Sequence, residues 1–162
     1  MSGGLKIYLD TNVFIYATEY ADQRRTLLVD LFLSGLPFVT SSITLAELVD
    51  KPHQLRQDRF IDIYRDSIKN SSWLTVVPVD DEVAYHAGIL KSGRKGLKLP
   101  DALHLSSAIA MGCSHFLTGD LGISGPVILE HVRHGISTSS PPLTIIRPDI
   151  PTLDTLLKSL AP

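Results

Sequence analysis

Four carboxylates stand where a chain of alternating strands and helices can bring them together: Asp10, Glu47, Asp101 and Asp120. Asp10 ends the apolar run of Ile7, Tyr8 and Leu9, and Thr11 and Asn12 separate it from a second run that starts at Val13. Glu47 lies in ITLAELV, Asp101 follows LKLP, and Asp120 closes HFLTGD. Each acid alone has an ordinary structural explanation. Asp10 can turn the chain from strand into helix, Thr44 and Glu47 fit a capping box, Asp101 after Pro100 suits a helix start, and Asp120 is a common turn residue. Gathered at one place they would mean more, because crowded carboxylates raise one another's pKa and stay ionised only around something positive. Oxygen ligands of this hardness suit Mg²⁺ or Mn²⁺. Two such ions about 4 Å apart can activate a water and steady the leaving oxygen of a displacement at phosphorus.

The elements that must position these acids follow from the apolar pattern. Ile7, Tyr8 and Leu9 form a buried strand, and Asn12 is expected to cap a helix running from Val13 to about Tyr20. A second helix covers Asp22 to Ser34 and stops at Gly35. Phe38 to Ser41 forms a strand, then ITLAELV a helix that Pro52 must end or kink. Gln54 to Asn70 is helical, with Phe60, Ile63, Tyr64 and Ile68 on one face. Leu74 to Val79 is a strand, and Asp80 or Asp81 caps a helix that ends at Gly93. After the loop GRKGLKLP, Asp101 starts the helix DALHLSSAIAMG. His115 to Thr118 is a further strand. From residue 121 the pattern is irregular, with a short helix expected around Val127 to Arg133, a last strand at Leu143 to Arg147 and a terminal helix from Pro151 to Leu160. Strands that alternate with helices argue for an α/β fold whose mostly parallel sheet is covered on both sides. The C-terminal edge of such a sheet is where ligands gather, and all four acids are expected there.

Composition narrows the class. A chain of 162 residues is the length of one domain. Its 44% apolar content supports a packed core rather than disorder. A formal charge of −2, from 15 Lys and Arg against 17 Asp and Glu, excludes a generally basic nucleic-acid binder but not a local basic patch. The lone cysteine, Cys113, can form no internal disulfide, which suits a reducing compartment. The N-terminal MSGGLK lacks the regions of a secretory signal and no apolar run is long enough to span a bilayer, so a cytoplasmic protein without membrane contact is expected.

In order along the chain, YLDTNVFIY, ITLAELV, LKLPDALHLSSAIAMGC and HFLTGD resemble the conserved blocks of PIN-domain ribonucleases, in particular the VapC-like toxins of toxin-antitoxin pairs. The most specific part is LPDALH followed by a strand ending in TGD. The resemblance runs from about Ile7 to Asp120. It implies a PIN-like α/β/α sandwich with a central, mostly parallel sheet flanked by helices, residues 1–162 forming one domain with an irregular C-terminal extension from about residue 121. It further implies metal-dependent cleavage of RNA, in which an activated water leaves a 5′ phosphate and a 3′ hydroxyl. Asp10, Glu47, Asp101 and Asp120 take the places of the family's Mg²⁺- or Mn²⁺-binding, catalytic acids. Thr11, Asn12 and Thr118 would orient them by hydrogen bonds. An RNA substrate, a small protein antitoxin and a homodimer are the partners the resemblance implies.

Beside the resemblance, the loop before Asp101 carries Arg94, Lys95 and Lys98, which could hold an RNA backbone or simply be solvated. His104, three residues past Asp101 on one helical face, could reach substrate or metal, or serve as a hydrogen-bonded structural histidine. His131 and His134 show no interpretable spacing. The chain departs from the family pattern after TGD, where a charged and an aromatic residue are expected and LGISGPVILEHVRHGISTSSPP stands instead. A phosphotransferase of the haloacid dehalogenase type would also begin with an Asp at a strand end, but it needs a second acid two residues on, where this chain has Asn12. A catalytically silent RNA-binding or assembly module on the same fold, and a nuclease outside any toxin-antitoxin system, are the other readings.

Overall fold

A computed structural model describes residues 4–162. Residues 1–3, the start of the MSGGLK segment read above, lie outside the described residues. The elements follow in the order β1 (Ile7–Leu9), α1 (Thr11–Glu19), α2 (Gln23–Phe32), β2 (Phe38–Ser41), α3 (Ser42–Gln54), α4 (Asp58–Asn70) and β3 (Leu74–Val77). They continue with α5 (Asp81–Gly93), α6 (Leu99–Ala110), β4 (His115–Leu117), β5 (Glu130–Arg133), β6 (Ile136–Ser139), β7 (Thr144–Ile146) and α7 (Ile150–Leu160).

Five strands form one parallel sheet in the order β3-β2-β1-β4-β7. The strand that carries Asp10 is therefore the central one, with Ile7 paired to Phe38 on one side and to His115 on the other. Because successive side chains alternate across a strand, Ile7 and Leu9 point to one face and Tyr8 to the other. Both faces are packed, which is why β1 reads as an unbroken apolar run. Ile7 and Leu9 join Phe14, Leu31, Leu48, Tyr64 and Leu153 under α1, α2, α3, α4 and α7, while Tyr8 joins Val39, Leu105 and Phe116 under α5 and α6. Helices thus cover both faces, as the α/β/α sandwich requires. Among the described residues no helix is long and apolar enough to cross a membrane.

Several local expectations are corrected. Asp10, not Asn12, caps α1: its backbone is still extended (φ −72°, ψ 159°) and its side chain accepts from the Thr11 N–H, so the helix begins two residues early. Thr44 and Glu47 form no capping box, because α3 starts at Ser42 directly after β2 and Thr44 is turned inward to share a 2.7 Å hydrogen bond with Thr40. α6 begins at Leu99, which places Asp101 inside the first turn instead of at its cap. Pro52 is accommodated inside α3, buried, two residues before the helix ends. α4 begins at Asp58, four residues later than Gln54. The helix expected at Val127 to Arg133 is absent. Val127 bridges Leu143, and β5 pairs antiparallel with β6 across His134 and Gly135. Both turn residues have positive φ (51° and 76°), the conformation of a two-residue type I′ hairpin. The apolar spacing of VILEHVR misled the periodicity reading; the Gly135 turn between runs of strand-forming residues was the contrary signal.

Candidate active site

Asp10 ends the central strand with only 5% of its surface exposed, and its carboxylate is held both by the residues that follow it and by side chains the fold brings from far along the chain. Its Oδ1 accepts from the Thr11 N–H at 2.8 Å. Its Oδ2 accepts from the Thr118 hydroxyl at 2.7 Å and from the Asn12 amide at 3.3 Å. Thr118 follows β4, the next strand, so pairing β1 with β4 is what carries its hydroxyl to Asp10. Asn12 and Thr118 also fix the next turn: the Asn12 side-chain oxygen accepts from the Gly119 N–H at 2.9 Å, and Thr118 Oγ1 accepts from the Asp120 N–H at 3.0 Å. Asp120 accepts in turn from the Gly122 N–H at 2.8 Å, an Asx turn that aims the loop after β4.

Glu47 reaches the same place from the second turn of α3. One of its oxygens accepts from the Thr11 hydroxyl at 2.8 Å and meets His104 Nε2 at 2.5 Å. His104 is fully buried, its Nδ1 lies 2.7 Å from the Tyr8 hydroxyl, and its Nε2 is 3.6 Å from Asp10. Of the two readings offered for this residue, the hydrogen-bonded structural one fits: the ring ties Glu47 on α3 to Tyr8 on β1. With the Tyr8 hydroxyl donating to Nδ1, Nε2 carries the proton that Glu47 accepts. Burial, opposed by hydrogen bonds from neighbouring hydroxyls, holds the Tyr8 phenol far above its ordinary pKa and therefore protonated, in keeping with that role. Burial pushes the Glu47 carboxyl up, but its close contact with His104 and the Thr11 hydrogen bond together bring it below its ordinary value.

Asp101 behaves in the opposite way. Burial in the first turn of α6, then the charges of Asp10 and Asp120, and to a lesser degree Glu47, raise its pKa, while His104 pulls the other way. Four acids from four separate elements thus share one electrostatic field at the C-terminal edge of the sheet. Among the described residues no three His, Cys, Asp or Glu side chains form a ready-made cage around a single point. The arrangement is an open set of hard oxygen donors with one member left electrostatically frustrated. That donor set fits Mg²⁺ or Mn²⁺, since Mg²⁺ commonly keeps several of its waters and takes only one or two carboxylates.

The basic loop divides. Arg94 donates to the carbonyls of Ser124 at 2.9 Å and Pro126 at 3.1 Å, which fastens the loop before α6 to the segment after β4. Lys95 and Lys98 are exposed. One residue at this edge carried no sequence signal: Arg147, just past β7, donates to the carbonyls of Thr118 (3.2 Å), Asp120 (2.6 Å) and Ile123 (2.5 Å). Its guanidinium is the clamp on the turn that bears Asp120. Only the pairing of β7 with β4 could reveal it.

The comparisons with known proteins agree with this architecture. No curated protein matches the sequence. Among solved structures, the fold is similar to a chain of the DNA-bound VapBC of Salmonella typhimurium (TM-score 0.63, 22% identity, covering 90% of this chain and 100% of that one). It is also similar to VapBC2 of Rickettsia felis bound to a promoter DNA fragment (TM-score 0.56, 23% identity, 73% and 90% covered). A third similar structure is Mycobacterium tuberculosis VapC20, described as a sarcin-ricin loop cleaving toxin (TM-score 0.55, 18% identity, 68% and 86% covered). At these identities the likeness is one of fold. The PIN domain family model matches residues 7–125, from the first residue of β1 to just beyond Asp120, and so spans all four acids. With the sheet order, the capping aspartate of the central strand and this match in agreement, the chain belongs to the PIN domain family.

Proposed function

We propose that the protein is a Mg²⁺- or Mn²⁺-dependent endoribonuclease and the toxin of a VapBC-type toxin-antitoxin pair. The observation that carries this reading is that Asp10, Asp120 and Glu47 lie near enough to Asp101 at one edge for their charges, after its burial, to raise its pKa. A cation bound there would relieve that repulsion, neutralise charge on a scissile phosphate and activate a water for in-line attack. The chain's own groups do the rest. Thr11, Asn12 and Thr118 hold the Asp10 and Glu47 carboxylates in place through the hydrogen bonds described above. Arg94 steadies the loop before Asp101, and Lys95 and Lys98 offer exposed positive charge to an RNA backbone. An antitoxin partner is supported by the similar folds having been solved as VapBC complexes. A homodimer belongs to the same reading and is checked by light scattering.

The test is cleavage of single-stranded and loop-containing RNA by purified protein under a metal titration, repeated with Asp10→Asn and Asp101→Asn. Products that require the metal and vanish in both variants are expected. Cleavage indifferent to chelator and to both substitutions would overturn the assignment. A second reading, a catalytically silent PIN module, is favoured by His104 lying between Glu47 and Asp10. It predicts RNA or protein binding with no metal-dependent products. Growth arrest on expression, relieved by a protein encoded alongside, separates a toxin from a housekeeping nuclease.

A further inference from the structure

Immediately beside the acids lies a cavity of about 450 Å³ to which the reading so far assigns no role. Tyr16, Arg24, Gly119, Leu121, Arg147 and Ile150 are among its lining residues. Gly119, between Thr118 and Asp120, carries the cavity's edge right up to the acid-bearing turn. A Cβ at Gly119 would lie 2.4 Å from the Tyr16 hydroxyl, so the end of the Tyr16 ring is laid directly against this turn and a larger residue here would have to displace it. Next along, Tyr16 and Tyr20 meet edge to face at 4.9 Å, and the Arg24 guanidinium sits 5.1 Å and 5.4 Å from their ring centroids. Leu121, which also lines the cavity, is 82% exposed, an apolar side chain turned to solvent directly after Asp120.

We infer that this cavity is a stacking subsite for an unpaired base of the RNA strand next to the phosphate held at the acids. The inference rests on the nuclease reading for its substrate and goes beyond it in assigning the base contact. A base fits better than a phosphate because the cationic groups here are already committed. Arg24 engages Nε and Nη2 with Asp22, Arg147 engages both Nη atoms with three backbone carbonyls, and Asp149 adds a carboxylate to the lining that disfavours a phosphate. What they leave to a ligand is flat guanidinium surface beside an aromatic ring and aliphatic walls. Aromatic and guanidinium planes of this kind hold splayed-out bases of single-stranded RNA.

The experiment is run on the full chain in chelator, so that no cleavage enters the readout. Backbone amide NMR shifts are followed while a short oligoadenylate, or a base-free ribose-phosphate chain of the same length, is added. The oligoadenylate is expected to shift Tyr16, Gly119, Leu121 and Ile150, and the base-free chain to leave them still. Tyr16→Leu should weaken oligoadenylate binding about tenfold, Tyr16→Phe should retain it, and the exposed Leu121→Ser, which poses no folding risk, should weaken it severalfold. Equal shifts with the base-free chain, no shifts at these residues, or full affinity in Leu121→Ser and in folded Tyr16→Leu would each overturn the assignment. A protein that binds bases here yet cleaves no RNA would refute the nuclease reading and leave the subsite standing.

Discussion

Replacing Thr118 by valine tests whether hydrogen bonding from β4 is what holds the buried Asp10 carboxylate. Thr118 is fully buried and valine has nearly its shape, so no cavity forms. Lost first is the 2.7 Å bond to Asp10 Oδ2, which as a bond to a charged group is worth about 1.5–3 kcal/mol. The Asp120 N–H, part-buried, loses its acceptor at a cost of about 1 kcal/mol. Asn12 Nδ2 keeps Asp10 as a partner, so it adds little. The extra buried methyl returns about 0.8 kcal/mol. The expected net loss is about 2–3 kcal/mol. The assay is urea unfolding in chelator, read by the fluorescence of the sole tryptophan, Trp73, half-buried, whose ring stacks on Phe32 of α2 at 4.5 Å and meets Phe38 of β2 edge-on against the core. In an Asp10→Asn background the charge that strengthened the bond is gone, so Thr118→Val should cost only about 1 kcal/mol there. A loss under about 0.5 kcal/mol, or the same loss in both backgrounds, would show that Asp10 is held by something else.

Two further outcomes follow from the same structure. Asp101 binds its proton more tightly in the folded chain than in the unfolded one, so its contribution to stability is present at low pH and lost as pH rises through the carboxylate range. Glu47, with its pKa lowered, runs the other way and loses its contribution as pH falls. Asp101→Asn in chelator should therefore raise the urea midpoint at neutral pH, with the gain shrinking toward acid; a lower midpoint at neutral pH would contradict the crowding of the acids. Burial pushes the Cys113 thiol up to about 11, with Lys6 pulling weakly the other way. A chromogenic disulfide reagent should modify Cys113 far more slowly in the native protein than in urea, and equal rates would place the thiol at the surface.

The amino-acid order by itself determined a strand buried on both faces at Ile7 to Leu9 and the approximate places of the acids along the chain. An uninterrupted apolar run such as Ile7 to Leu9 can satisfy only a strand buried on both faces, and an acid that interrupts such a run must lie at its end. The strands at Phe38, Leu74 and His115, and the helices following them, were legible for the same reason: local periodicity records which faces are covered. The tertiary structure alone decided the bonds that make the site. Tyr8 and His104 are separated by 96 positions, and Asp10 and Thr118 by 108, so no local pattern encodes either pair. The link from His104 on α6 to Glu47 on α3 arises only once the two helices pack side by side, and the grip of Arg147 on the Asp120 turn only once β7 lies beside β4. The β5-β6 hairpin was misread because its strands are largely solvent-exposed, and an element with no buried face leaves no reliable period to read.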